Sequence, residues 1–158
     1  MSSNNFKSFQ RNCDNCTKCC EGWLSGEVNG YSFYPGRPCH FMKCNGCSIY
    51  KNRPEDPCKT FRCEWLNNPD FPEWLKPSLT NALITRQTFT DEHRNTHLFY
   101  KLLEAGSVMS SDVLSFVIQY CLANKINLLY EIKGGKNIIG SEAFAEACRI
   151  TNFFAVQP

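Results

Sequence analysis

The chain has 158 residues, 11 of them cysteine, with 42% hydrophobic and 20% charged residues and a formal charge of +2; this is the size of one ordinary domain and excludes wholesale disorder. Up to Leu66 there are nine Lys and Arg against six Asp and Glu, and after it eight against nine, so neither part reads as a nucleic-acid arm. Met1–Gln10 has no apolar signal core, and the most apolar run, Val113–Ala123, is broken by Ser115 and Gln119 and reaches only half of the ~20 residues a membrane span needs.

Residues 1–12 are polar and read as a flexible leader. Residues 13–66 follow as a cysteine-rich region that contains nine of the cysteines and few long apolar runs. A segment of that kind cannot hold itself together by burial alone. It opens with Cys13, Cys16, Cys19 and Cys20, four thiols within eight residues. In a helical turn these sulfurs lie on neighbouring faces and can serve one centre or two adjacent ones. Residues 22–38 read as loop and short strand, punctuated by glycine and proline around Trp23, Tyr31, Phe33 and Tyr34. Cys39-His40-Phe-Met-Lys-Cys44-Asn-Gly-Cys47 is a knuckle-like loop, with Asn45-Gly46 as the turn that folds Cys44 and Cys47 together. Arg53-Pro54 and Pro57 then stiffen the approach to Cys58 and Cys63.

Seven of the eight prolines lie between Pro35 and Pro77, and the boundary is expected near 67–77, a connector anchored by Trp65 and Trp74. Residues 67–158 read as an α+β region that forms one compact unit with the cysteine region. Strands are expected over 82–90 and 96–103, joined by a charged loop that holds His93. Ser110 or Ser111 caps a helix to about Lys125, with Val113, Phe116, Val117, Tyr120 and Cys121 on its apolar face. Strands over 126–133 and 136–139 meet at a Gly134-Gly135 turn, and Ser141 caps a last helix, 142–150, that buries Phe144 and Cys148. The expected fold class is α+β: an irregular cysteine-rich half packed on a small antiparallel sheet with two helices on one face.

Dense cysteine spacing without an export signal points to a reducing cytoplasm and to metal before disulfide. Thiolate selects zinc, iron–sulfur or copper(I) over magnesium or calcium. His40 is placed beside the centre as a support for a ligand, and His93 and His97 as solvated surface. Cys121 and Cys148 read as core residues. The chain has no G-x-S-x-G, no phosphate-binding glycine loop and no H-E-x-x-H, so no hydrolytic or nucleotide-dependent chemistry is indicated.

The ordered run Cys13-x2-Cys16-x2-Cys19-Cys20, then Cys39-His-Phe-Met, then Cys47-Ser-Ile49-Tyr50-x2-Arg53-Pro54, Cys58 and Phe61-Arg-Cys63 resembles the YkgJ-type cysteine-cluster family, described as a zinc- or iron-chelating domain. The likeness covers residues 13–63. Lys59 stands where the family pattern has arginine, one extra residue separates Pro54 from Cys58, and Cys44 is an addition. The resemblance implies an eight-cysteine metal centre, Cys13, Cys16, Cys19, Cys20, Cys39, Cys47, Cys58 and Cys63, binding zinc or iron in a structural or regulatory role. The alternative it carries is an iron–sulfur protein, possessing for instance a 4Fe-4S cluster, that acts in electron transfer or as an enzyme subunit. In the first of these readings Arg53 and Lys59 are expected to donate to the sulfurs or screen their charge, with Ile49, Tyr50 and Phe61 as a shield from water.

Overall fold

A computed structural model describes residues 9–151 and 153, so the expected leader lies outside the described residues up to position 8. Of its remainder, Arg11 is firmly held. Its guanidinium donates to the carbonyls of Trp65 (2.7 Å), Asn68 (3.1 Å) and Phe71 (2.6 Å) and lies 4.6 Å from the centroid of the Trp65 ring.

The cysteine region is built from two small hairpins and short helical turns. Strands β1 (Gly26–Val28) and β2 (Tyr31–Phe33) pair antiparallel across Asn29-Gly30. Both turn residues have positive φ, the geometry for which Asn-Gly is suited. Strands β3 (Met42–Lys43) and β4 (Gly46–Cys47) pair across Cys44-Asn45, one residue earlier than the expected turn. A helical turn, Glu55–Lys59, leads to α1 (Glu64–Asn67), and α2 (Pro77–Thr80) precedes the sheet.

The sheet has the order β5 (Ala82–Thr90), β6 (Thr96–Glu104), β7 (Asn127–Ile132), β8 (Gly135–Ile139). Helix α3 (Ser111–Ala123) lies between β6 and β7 in the chain, and α4 (Glu142–Ile150) follows β8. The fold class is α+β. The sheet is mixed, however: β6 and β7 run parallel, while the β5/β6 and β7/β8 pairs are antiparallel. The expected all-antiparallel sheet is corrected by its connection, because a strand that returns through a helical crossover arrives in the direction it left. The β7/β8 turn is Lys133-Gly134, again one residue before the expected pair.

The two helices lie on opposite faces of the sheet, not on one. Ile84, Tyr100, Leu102 and Leu128 face Val113, Val117 and Cys121 of α3. Phe89, Phe99 and Leu129, on the other side of the same strands, enclose Phe144 of α4, whose ring centroid is 5.1 Å from that of Phe99. Alternate residues of a strand point to opposite faces, so Phe99 and Tyr100 divide the core between the helices. Each fully buried side chain of this size contributes about 1.5–3 kcal/mol. Trp65, Leu66, Phe71 and Leu75 belong to the α3 core, so the stretch read as a connector is packed interior. Trp65 anchors it, whereas Trp74 is 46% exposed and only leans on Phe116.

Glu64, the first residue of α1, is fully buried. Its carboxylate accepts hydrogen bonds from Arg86 Nε (3.0 Å) and Nη2 (2.5 Å) and from the Tyr100 hydroxyl (2.5 Å). The charge of α1 is thereby tied to β5 and β6. His97 pairs with Asp91 at 2.7 Å in the β5/β6 hairpin, away from the cysteines. Among the described residues no helix is long and apolar enough to cross a membrane.

Candidate metal centre

Each cysteine-bearing segment is held by its own backbone bonds. The Cys16 amide donates to the Cys13 carbonyl at 2.8 Å, and the Cys20 amide to Thr17 at 2.8 Å, which closes the short helical turn Lys18–Cys20. The four thiols thus lie on two successive turns and not on one continuous helix. The Cys39 amide donates to the Cys20 carbonyl at 2.9 Å, and the Met42 amide to the Cys39 carbonyl at 3.0 Å. Met42 faces Cys47 across the β3/β4 hairpin. Cys58 lies in the turn that follows the extended Arg53-Pro54, and Cys63 precedes α1 at its N-cap.

These segments bring Cys13, Cys16, Cys19, Cys20, Cys39, Cys47, Cys58 and Cys63 to the wall of one cavity of about 320 Å³. Leu24, Val28, Phe33, Tyr50, Phe61 and Leu66 supply its apolar surface. Cys39 and Cys63 are buried and the other six partly so. Among the described residues no group of three or more His, Cys, Asp or Glu side chains forms a ready metal site; the thiols surround a space and are not drawn onto one point.

Burial governs the ionisation of these thiols. It pushes Cys13, Cys39 and Cys58 up, and Cys63 up to about 11. Cys19 and Cys20 share a hydrogen bond with their sulfurs 3.6 Å apart. That bond holds the Cys19 thiol far above its ordinary value and, together with the Arg53 charge, lowers Cys20. Neutral thiols packed away from water resist ionisation until a cation arrives, and a bound cation reverses that preference. The donor set is sulfur, the chemistry of zinc, iron–sulfur and copper(I) sites.

Arg53 lines the cavity, with its guanidinium 4.0 Å from the centroid of the Tyr50 ring, and its charge favours the thiolates of Cys13, Cys20 and Cys58. Tyr50 and Phe61 lie in the wall as expected, while Ile49 packs behind it against the Val28, Phe33 and Cys39 cluster. Lys59 does not line the cavity; half exposed, it pairs with Glu55 at 3.3 Å. Cys44 is exposed at the tip of the β3/β4 hairpin, so the expected convergence of Cys44 with Cys47 does not occur. The one-residue shift of the turn is the reason, since it moves Cys44 out of the strand. His40 stacks on Tyr31 at 3.9 Å, also outside the cavity lining. Sequence reasoning missed Val28 and Phe33 as wall residues, although Asn29-Gly30 signals the hairpin that carries them.

A second cleft of about 600 Å³, lined by Trp23, Phe61, Thr85, Gln87 and Lys101 among others, separates the cysteine region from the α4 face of the sheet. No family model, no curated protein and no solved structure matches the chain.

Proposed function

We propose that the chain is a metal-binding protein of the YkgJ type, which holds zinc or iron through cysteine thiolates in a structural or regulatory role. The observation that carries this reading is that eight cysteines from separate stretches of chain line one cavity. The residues fit the group by donor chemistry: sulfur ligands, a largely apolar wall, and Arg53 to offset negative charge. Bound metal would add cohesion to the stretch before Cys63, whose own apolar cluster has Val28, Phe33 and Cys39 as its buried members. Structural zinc contributes about 10–16 kcal/mol of apparent binding free energy in small modules, comparable with or larger than the whole stability of a typical domain.

A volume of about 320 Å³ is room for more than a bare ion, and this favours as second reading an iron–sulfur protein acting in electron transfer or as an enzyme subunit. A cytoplasmic setting follows for both, because exposed Cys44 and the cavity thiols persist as thiols only where the medium is reducing. The near-balanced charge argues against a nucleic-acid partner.

Purification of reduced protein with and without air, followed by elemental analysis and a visible spectrum, tests the proposal. Stoichiometric zinc in a colourless protein supports the first reading, and a brown protein with acid-labile sulfide supports the second. Freshly made reduced protein that carries no transition metal and still resists protease across residues 13–63 refutes both.

A further inference from the structure

We propose that the eight cavity cysteines, which surround a space and form no ready site without metal, assemble on metal entry into two four-sulfur sites, one of Cys13, Cys16, Cys19 and Cys63 and the other of Cys20, Cys39, Cys47 and Cys58, each holding its own divalent ion. This rests on the reading of the cavity as a metal centre and adds the number of ions and the ligands of each.

The backbone makes the first division. Cys20, Cys39 and Cys47 form a chain of contacts: Cys39 bonds to the Cys20 carbonyl, Met42 to the Cys39 carbonyl, and Met42 stands opposite Cys47. None of these bonds involves Cys13, Cys16 or Cys63. Apolar packing divides the sulfurs the same way. Cys20, Cys39 and Cys58 pack with Val28, Phe33 and Ile49, whereas Cys13 and Cys63 pack with the main core beside Leu66 and Leu83.

The remaining cysteines follow from the chain: the Cys16 amide donates to the Cys13 carbonyl at 2.8 Å, which keeps Cys16 with Cys13. The seam between the sets is therefore the Cys19–Cys20 pair, with its sulfurs 3.6 Å apart. Successive residues point to different sides of the backbone, so one can turn to each site.

Coordination chemistry agrees with the division. Structural zinc takes four ligands in a tetrahedron, so eight sulfurs are twice what one ion uses. Each ion that enters replaces about four thiol protons, and two filled sites leave a formal charge of about −4 on the sulfurs. Arg53, in the cavity lining, offsets part of it, while Lys18, also in the lining, is already paired with Glu21 at 3.0 Å.

The test uses the full chain, reduced, stripped of metal and reloaded with ¹¹³Cd²⁺ under anaerobic conditions. Elemental analysis is expected to give two cadmium ions per chain, and the cadmium NMR spectrum two signals. Scalar coupling to cysteine β-protons is expected to join one signal to Cys13, Cys16, Cys19 and Cys63 and the other to Cys20, Cys39, Cys47 and Cys58. This readout is made on the unmodified protein and does not depend on a variant that folds. One cadmium per chain, or a signal coupled to both Cys63 and Cys39, overturns the division and leaves the metal-binding reading standing. A chain that binds no cadmium overturns both.

Discussion

Replacing Glu64 by alanine removes the carboxylate that joins α1 to the sheet. Each hydrogen bond to a charged group contributes about 1.5–3 kcal/mol, and Glu64 accepts three. Their sum overstates the loss, because the mutation also relieves the cost of keeping a carboxylate dry. Removing one partner of a buried pair costs about 3–5 kcal/mol. Arg86, whose side chain is 49% exposed, regains water and moves the value to the lower end. The Tyr100 hydroxyl, at 2% residue exposure, does not regain it and keeps the cost from vanishing. The expected loss is therefore about 3 kcal/mol. With a urea slope of about 2 kcal/mol/M for a small domain, the unfolding midpoint of the full chain falls by ~1.5 M. Tyr100→Phe alone should cost about 2 kcal/mol, and in the Glu64→Ala background nearly nothing, because the hydroxyl there has already lost its acceptor. A Glu64→Ala loss below about 1 kcal/mol, or a Tyr100→Phe cost equal in the two backgrounds, refutes the reasoning.

Arg11→Ala leaves the carbonyls of Trp65, Asn68 and Phe71 without their donor and should destabilise the protein by about 3 kcal/mol in the same urea assay. Glu73→Ala, which removes only an exposed partner of Arg11, should cost under about 1 kcal/mol. Burial pushes the Cys121 thiol up to about 12 from an ordinary 9.0. The unfolded chain therefore ionises first: the stability this thiol protects is complete below pH 9.0 and is lost as pH rises toward 12. Cys121→Ala, less stable than the natural protein at pH 8, should close that gap in urea melts as the pH is raised to 10.5. Cys44→Ser should keep the full metal content by elemental analysis, since Cys44 lies outside the cavity lining, whereas Cys58→Ser should lower it.

Periodicity and capping made the second half readable. Helix α4 has the expected bounds, and the Ser110 and Ser141 side chains accept the amides of Val113 and Phe144 as cap residues do. The two-sided packing of the sheet also had a signal in the chain. Leu98-Phe99-Tyr100 and Leu128-Leu129 are continuous apolar runs, the mark of strands covered on both faces, and they outweigh the economy of a one-sided layer. Spacing alone pointed to sulfur ligands without choosing among nine cysteines; the likeness to the YkgJ-type pattern picked out the eight that line the cavity. The turn beside Cys44 was misplaced by one residue: it falls at Cys44-Asn45, which leaves Cys44 exposed at the hairpin tip. The role of Arg11 left no trace in the sequence, because its acceptors are main-chain carbonyls of an irregular stretch, which every residue possesses.

Cys63 and Glu64 are consecutive, yet one faces the sulfur-lined space and the other is clamped to the strands by Arg86 and Tyr100. The single peptide between them is a mechanical coupling with little slack. On the proposal of a metal centre, an ion held by Cys63 is expected to shift the ultraviolet absorption of Tyr100, whose phenol is bound to the Glu64 carboxylate.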